Sequence, residues 1–302
     1  MKFFKHKPLV LAAALGALLT AGVADLSNAA PNNISVNVSV ENAGITEGVD
    51  RSHGANSAIY AEGRGRSGGK GMSMTRLAAI TDAQRHLLGI IKGIQIDADT
   101  LMNDLIIEND TVRTKISGLL RGAQIIEEKQ LENDEYSVRM CVPLYGATGS
   151  LASVIVPEIM DRGTPEPFPE VDPTALTDAE MQSIRDANYT GVVINADGLG
   201  MYPTFSPVIY DTEGRAVYGV KNLEYDTVIE KGMVDYADDL NGAAADGRAG
   251  DNPLVIDAVD VSGGQNSVNR VNAVVSVKDA NKILLANEST DMLEDTSVVF
   301  VK

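Results

Sequence analysis

The sequence predicts an α+β protein in two parts: an N-terminal domain with a long helix packed on an antiparallel sheet, and a second α+β domain. Three observations lead there. Residues 74–92 carry a helical period of apolar residues after a strictly alternating strand pattern. Residues 123–131 and 135–144 are β-like runs joined by the polar triplet Glu132-Asn133-Asp134. A proline-rich stretch at 157–173 then divides these elements from a further mixture of strands and helices.

Taken in order, Ile34, Val36, Val38 and Val40 alternate with polar residues, the pattern of a half-buried strand. Residues 57–61 form a second extended run that enters a glycine-rich stretch, residues 63–71. In the helix over 74–92, Leu77, Ile80, Leu87, Leu88 and Ile91 share one stripe, with Arg76, Asp82 and Arg85 away from it and Gly93 at the C-cap. Residues 103–110 read as extended, and 111–120 as either a short helix or a strand. In the hairpin that follows, Tyr136, Val138, Met140 and Val142 face one way and Ser137, Arg139 and Cys141 the other.

Five prolines between 157 and 173 preclude helix propagation or a central strand, so this stretch reads as a stiff surface linker. Thr177 and Glu180 form a capping box for a helix to Ala187. Beyond it the sequence predicts a strand at 190–195 and a hairpin of 207–211 with 215–220. A helix over 225–240 and an Ala/Gly/Asp-rich loop over 241–252 follow. Strands at 254–261 and 271–277, a helix from 279 to 285 or beyond, and a strand at 297–301 complete the chain. The expected organisation is a signal peptide at 1–29, an α+β domain at 30–156, a linker and short helix at 157–188, and a C-terminal α+β domain at 189–302.

The leader reading rests on three lysines before an apolar stretch from Leu9 to Val23, closed by Ser27-Asn28-Ala29-Ala30. The apolar stretch is short and rich in Ala and Gly for a membrane span. The chain holds 25 basic and 42 acidic residues, a net charge of −17. Removal of residues 1–29 takes away three lysines and one aspartate, leaving 22 basic against 41 acidic residues and −19. So acidic a surface repels phosphate backbones, which argues against nucleic-acid partners. Cys141 is the single cysteine, which excludes an intrachain disulfide, and the leader has no cysteine to carry a lipid anchor.

Each group suited to chemistry has a structural reading beside it. Gly63, Gly65 and Gly68 match the spacing of a dinucleotide-binding turn, but Arg64, Arg66 and Lys70 crowd it, and a flexible basic loop fits better. His53 lies in a polar loop, and His86 follows Asp82 by four residues on one helix face. Neither accompanies a nucleophile elbow, and with Cys141 they make up too few ligands for zinc. Cys141 reads as a buried inert thiol. Asp235, Asp238, Asp239, Asp246 and Asp251 form an acidic cluster, but Ala237 breaks the spacing of a calcium loop. Glu127 and Glu128 are strand neighbours on opposite faces and do not form an acid/base pair. Tyr202, Phe205 and Tyr210 read as hairpin core. No catalytic, cofactor-binding or metal-binding residue is therefore assigned, and no cofactor is expected.

Residues 58–146 carry a resemblance. Ala58-Ile-Tyr-Ala-Glu-Gly-Arg-Gly65 precedes the helix Arg76-Leu-Ala-Ala-Ile-Thr-Asp-Ala-Gln-Arg-His-Leu-Leu88. Lys92-Gly-Ile94, Gly118-Leu-Leu-Arg-Gly-Ala-Gln-Ile126 and a hairpin strand ending Val142-Pro-Leu-Tyr-Gly146 follow. This layout resembles the Lpp-twenty bacterial lipoprotein family, itself similar to the N-terminal domain of the flagellar H-ring protein FlgT (flagellar assembly protein T). The resemblance implies an exported, non-enzymatic envelope protein, in the periplasm or at the outer membrane or cell surface, with a structural or assembly role exercised through other envelope proteins. It brings no catalytic residues. The family's acylated cysteine is absent here, so no lipid anchor is expected. Self-association into an oligomer would have to overcome −19 charges per protomer. The alternative is an exported calcium- or glycan-binding module, and an exported hydrolase ranks below it.

Overall fold

The structure, a computed structural model, describes residues 48–50, 57–69, 71–263 and 269–302. The leader, the strand expected at 34–40 and His53 lie outside the described residues. What is described is a mixed α+β architecture with an N-terminal antiparallel sheet and a second α+β part.

The N-terminal sheet has the order β1-β2-β4-β3, all antiparallel: β1 (Gly48–Asp50), β2 (Ala58–Arg66), β3 (Gln124–Gln130) and β4 (Glu135–Pro143). The hairpin of β3 and β4 forms where the sequence places it. Asn133 and Asp134 adopt φ of 59° and 58°, the left-handed conformation these two residue types tolerate best. The outward alternation is also as expected: Val138, Met140 and Val142 enter the core beneath the helix, whereas Cys141 is buried on the opposite face with Ala58 and Tyr60.

Helix α1 (Met72–Lys92) lies across β2 and β4, and of the expected stripe Leu87 and Ile91 are buried, Ile80 and Leu88 are half-buried, and Leu77 turns outward. Its buried residues are Thr75, Ala79, Ala83, Leu87 and Ile91, one every four positions, while Leu77 is 53% exposed. The cause lies in the strand below. Gly63 and Gly65 do not form a basic loop; they are interior residues of β2, which runs on to Arg66. A Cβ at Gly63 would sit 2.1 Å from the Ala83 nitrogen and 2.2 Å from the Ala79 oxygen. One at Gly65 would sit 2.0 Å from the Thr75 oxygen. The helix backbone thus rides directly on the strand, and only small side chains fit between them. Periodicity weighted by large apolar residues misses a contact built from glycine, alanine and threonine.

Residues 103–110 are not extended. Met102 and Ile106 are buried on one side of α2 (Met102–Glu108), and the Asp104 carboxylate accepts the Leu101 N–H at 3.1 Å to cap its start. The ambiguous segment after it is α3 (Asp110–Arg121). Asn109 caps it, its side-chain oxygen accepting from Thr111 and Val112 N–H at 2.9 and 3.2 Å. Helix α4 (Ala152–Ile159) carries through Pro157, which stands two residues from its end, so the first of the five prolines does not stop the helix. From 160 to 172 the chain is neither helix nor strand. It is docked, not free-running. Lys221 carbonyl accepts the Glu166 N–H at 2.8 Å, Phe168 stacks on Tyr218 at 6.4 Å, and Asp172 N–H donates to Asn281 at 2.7 Å. Helix α5 (Asp178–Ala187) begins at the expected Thr177/Glu180 capping box.

The C-terminal part has two four-stranded sheets. One is fully parallel, ordered β8-β12-β5-β9: β5 (Gly191–Asn195), β8 (Asp235–Ala237), β9 (Pro253–Asp257) and β12 (Val298–Val301). The other, ordered β10-β11-β6-β7, is mixed: β6 (Ile209–Asp211), β7 (Ala216–Tyr218), β10 (Asp260–Ser262) and β11 (Asn272–Val275). The single strand expected at 254–261 is therefore two strands in two sheets, broken at Ala258-Val259. The helix expected over 225–240 stops early. Helix α6 (Tyr225–Lys231) ends at Gly232, whose φ of 74° leaves helical space, and β8 follows. Part of the loop expected at 241–252 is helix α7 (Leu240–Asp246), capped by Asp239 at 2.7 Å from the Gly242 N–H. Helix α8 (Val277–Thr290) is buried around most of its circumference.

The two parts share one continuous core. Phe205 and Ser206 N–H donate to the carbonyls of Gln95 and Ile96 at 2.9 and 2.8 Å, and Gly146 N–H donates to Ile229 at 2.7 Å. Tyr145 and Phe205 rings meet at 5.7 Å. Among the described residues, no helix is long and apolar enough to cross a membrane.

The close approach of α1 to β2 yields a direct expectation. G63A or G65A loses about 3 kcal/mol or more in urea unfolding, because the obstacle is backbone that has nowhere to move. G89A, in the same helix with open space around it, gains about 0.5–1 kcal/mol from helix propensity.

Candidate interaction surface

Among the described residues, β1 pairs with β2 from Ala58 to Tyr60, and no other strand lies on that side of β2. Helix α1 runs beside this edge, and two of its side chains meet the β2 backbone. Asp82 accepts the Arg64 N–H at 3.0 Å. His86 Nδ1 lies 2.7 Å from the Glu62 carbonyl oxygen, which places a proton on Nδ1, and its Nε2 is 3.9 Å from Asp82. Burial alone would raise the Asp82 carboxyl. The Arg64 N–H, Arg85 at 2.5 Å and His86 outweigh it and hold the carboxyl below the usual range. The pair that the helical spacing puts on one face is thus brought together, and it blunts a sheet edge.

The same geometry turns apolar side chains outward. Met72, Met74 and Leu77 are exposed, Met74 to 54%. Met74, Leu77, Ala78 and Thr81 line an open groove of about 440 Å³ whose rim carries Arg64, Arg85 and Asp82. Methionine and leucine beside guanidinium groups form an adaptable apolar contact with a polar border. A second groove, of about 390 Å³, lies beside β9 between α5 and α8. Its charges are already engaged, Glu180 with Lys278 and Asp279 with Lys282, and Lys278 with the Thr177 cap holds the Glu180 carboxyl down at about 2.

The remaining sequence candidates do not converge. Glu127 pairs with Lys129 and Glu128 with Arg76 at 2.6 Å, on opposite faces of β3 as the alternation requires. Cys141 is fully buried, and burial pushes its thiol up to about 11. Phe205 is core, whereas Tyr202 is exposed. Of the five acids at 235–251, Asp238 pairs with Lys302 at 2.6 Å, Asp239 caps α7, and Asp251 is exposed. Asp235 and Asp246 meet around Arg248. No group of three His, Cys, Asp or Glu side chains placed to hold a metal ion occurs among the described residues.

Arg248 carries no recognisable signal in an Ala/Gly/Asp-rich stretch, yet it organises that region. Its Nε donates to Asp235 at 2.8 Å, Nη1 to the Thr296 carbonyl at 3.0 Å and to Gly232 at 3.3 Å, and Nη2 to Lys231. Asp235 is 2% exposed. Its carboxyl is pushed up to about 7, chiefly by burial, with Asp246 adding to the rise and Arg248 opposing it.

Compared with known families, residues 191–302 match the model of the second domain of Treponema pallidum Tp0624. This stretch holds the parallel sheet, the mixed sheet and α8, and it starts at the first residue of β5. No curated protein matches the chain.

Replacing Arg248 tests the buried pair. R248A strands Asp235 without its cation and costs about 3–5 kcal/mol of unfolding free energy by urea titration. R113A, which breaks the exposed pair with Asp110, changes it by less than about 1 kcal/mol.

Proposed function

We propose that this chain is an exported, non-enzymatic envelope protein with a structural or assembly role, working through protein contacts at the α1 groove. The observation that carries this reading is the groove itself. Three large apolar side chains, Met72, Met74 and Leu77, stand in solvent on a helix whose buried stripe is made largely of small residues. Large apolar groups grouped on an otherwise polar face mark contact surfaces. The rim arginines are themselves paired, Arg64 with Glu62 at 3.0 Å and Arg85 with Asp82 at 2.5 Å, so the apolar centre of the groove is what a partner segment would cover. The leader pattern at 1–29 and the resemblance over 58–146 support the exported location. The five acids that suggested calcium do not converge on one point: Asp238 pairs with Lys302, Asp239 caps α7, Asp251 is exposed, and Asp235 and Asp246 meet at Arg248.

The test is site-specific photo-cross-linking in intact cells. A photoreactive residue at position 77 is expected to give a discrete adduct with another envelope protein, and the same probe at the exposed Glu288 none. M74E/L77E, both positions being on the surface, keeps the wild-type melting temperature and abolishes co-purification of that partner. Equal capture from positions 77 and 288, or undiminished co-purification with M74E/L77E, overturns the reading.

A further inference from the structure

The parallel sheet ends at β9, which pairs with β5 on its inner side; among the described residues no strand pairs with its outer side. A parallel ladder uses the backbone groups of alternate residues. The Ala258 N–H, just past β9, donates to the Asn195 carbonyl at 2.8 Å, so Leu254, Ile256 and Ala258 are the residues turned towards β5. Val255 and Asp257 therefore turn their N–H and C=O groups outward. Pro253, which has no N–H to offer, opens the strand, a place that an edge permits. Val255 is 50% exposed.

The groove between α5 and α8 runs along this edge. Ile184 and Tyr189 line it together with Leu254 and Ile256, whose side chains lie on the core face of the sheet. On the other face Val255 stands beside Val193, and Asp257 beside Asn195. The charges of the groove are unequally matched. Lys278 holds Glu180 at 2.6 Å and Lys282 holds Asp279 at 2.7 Å. Asp257 accepts the Asn195 amide at 2.8 Å and, among the described residues, pairs with no cation. The edge thus joins outward main-chain donors and acceptors to an apolar groove on one face and an unmatched carboxylate on the other.

We infer that this edge docks an extended segment of another protein, added antiparallel to β9 as a fifth strand of the parallel sheet. The segment carries an apolar residue opposite Val255, a Lys or Arg opposite Asp257, and between them an apolar residue that enters the groove against Ile184 and Tyr189. An antiparallel neighbour exchanges both hydrogen bonds with the residue directly opposite, and alternation sends its side chains to the two faces in turn. Opposite charges placed across a strand pair are favourable. A second copy of this chain fits less well. Pairing β9 with itself about Val255 sets Asp257 against Pro253, which supplies neither a cation nor an N–H. The edge shares no lining residue with the α1 groove, so the two surfaces stand or fall separately.

The probe is the synthetic peptide Ac-Ser-Lys-Leu-Val-Thr-Ser-NH2, titrated to millimolar concentration into the full chain and followed by amide NMR. The Val255 and Asp257 amides are expected to shift and, at saturation, to exchange with solvent about tenfold more slowly. The peptide with Glu in place of Lys binds about tenfold more weakly, and D257K reverses that preference. Methylating the peptide nitrogen of the Val residue abolishes binding. The inference is overturned if none of the peptides moves these two amides, if the Lys and Glu peptides bind wild-type chain equally, or if the methylated peptide binds undiminished. Dilution-dependent shifts of the same amides without peptide would assign the edge to a second copy and overturn it too. The wild-type titrations decide the question even if D257K does not fold.

Discussion

The contact on which the N-terminal part depends is the direct seating of α1 on β2 at Gly63 and Gly65. There the helix backbone approaches the strand so closely that no side chain on these two residues fits between them. Close approach shortens the distance over which Thr75, Ala79 and Ala83 must fill space, and it explains why the buried row widens only at Leu87 and Ile91, beyond the glycines. It has a second effect. A helix lying this low on β2 carries Asp82 and His86 into reach of Arg64 N–H and Glu62 C=O. Met74 and Leu77 are left facing out above it. The packing of the helix and the shape of the groove thus have one origin.

The rest of the molecule is tied to this layer through backbone hydrogen bonds. The Gln95–Ile96 segment, which follows the C-cap of α1, receives Phe205 and Ser206 from the other part, and the Thr204 N–H donates to the Tyr236 hydroxyl at 3.1 Å. Tyr145 fits over Gly232, where a Cβ would fall 2.3 Å from its ring. The groove on α1 is in this way carried by a body that includes the parallel sheet.

Much of this was legible in the sequence where a local rule decides. The turn at Asn133-Asp134, the capping box of Thr177 and Glu180, the shared face of Asp82 and His86, and the opposed faces of Glu127 and Glu128 each follow from spacing of four residues or fewer. What was hidden depends on distant neighbours. Glycines in a strand look like a loop until the helix that needs them is placed, and Leu77 looks like core until that helix is seen to sit too low for it. The break of 225–240 into α6, β8 and α7 hangs on Gly232 and on pairing with β12, more than 60 residues further along. Arg248 draws its partners from 231, 232, 235 and 296, a set that no local pattern announces.

The seating of α1 is open to direct observation in solution. In nuclear Overhauser spectra of the selectively protonated chain, the Gly63 α-protons should show strong cross-peaks to the amide of Ala83, and those of Gly65 to the α-proton of Thr75 or the amide of Ala79. Cross-peaks from these glycines to Leu77 or Ile80 side chains in their place would mean that the helix rests on its large apolar stripe, and the account of both the packing and the groove would fail.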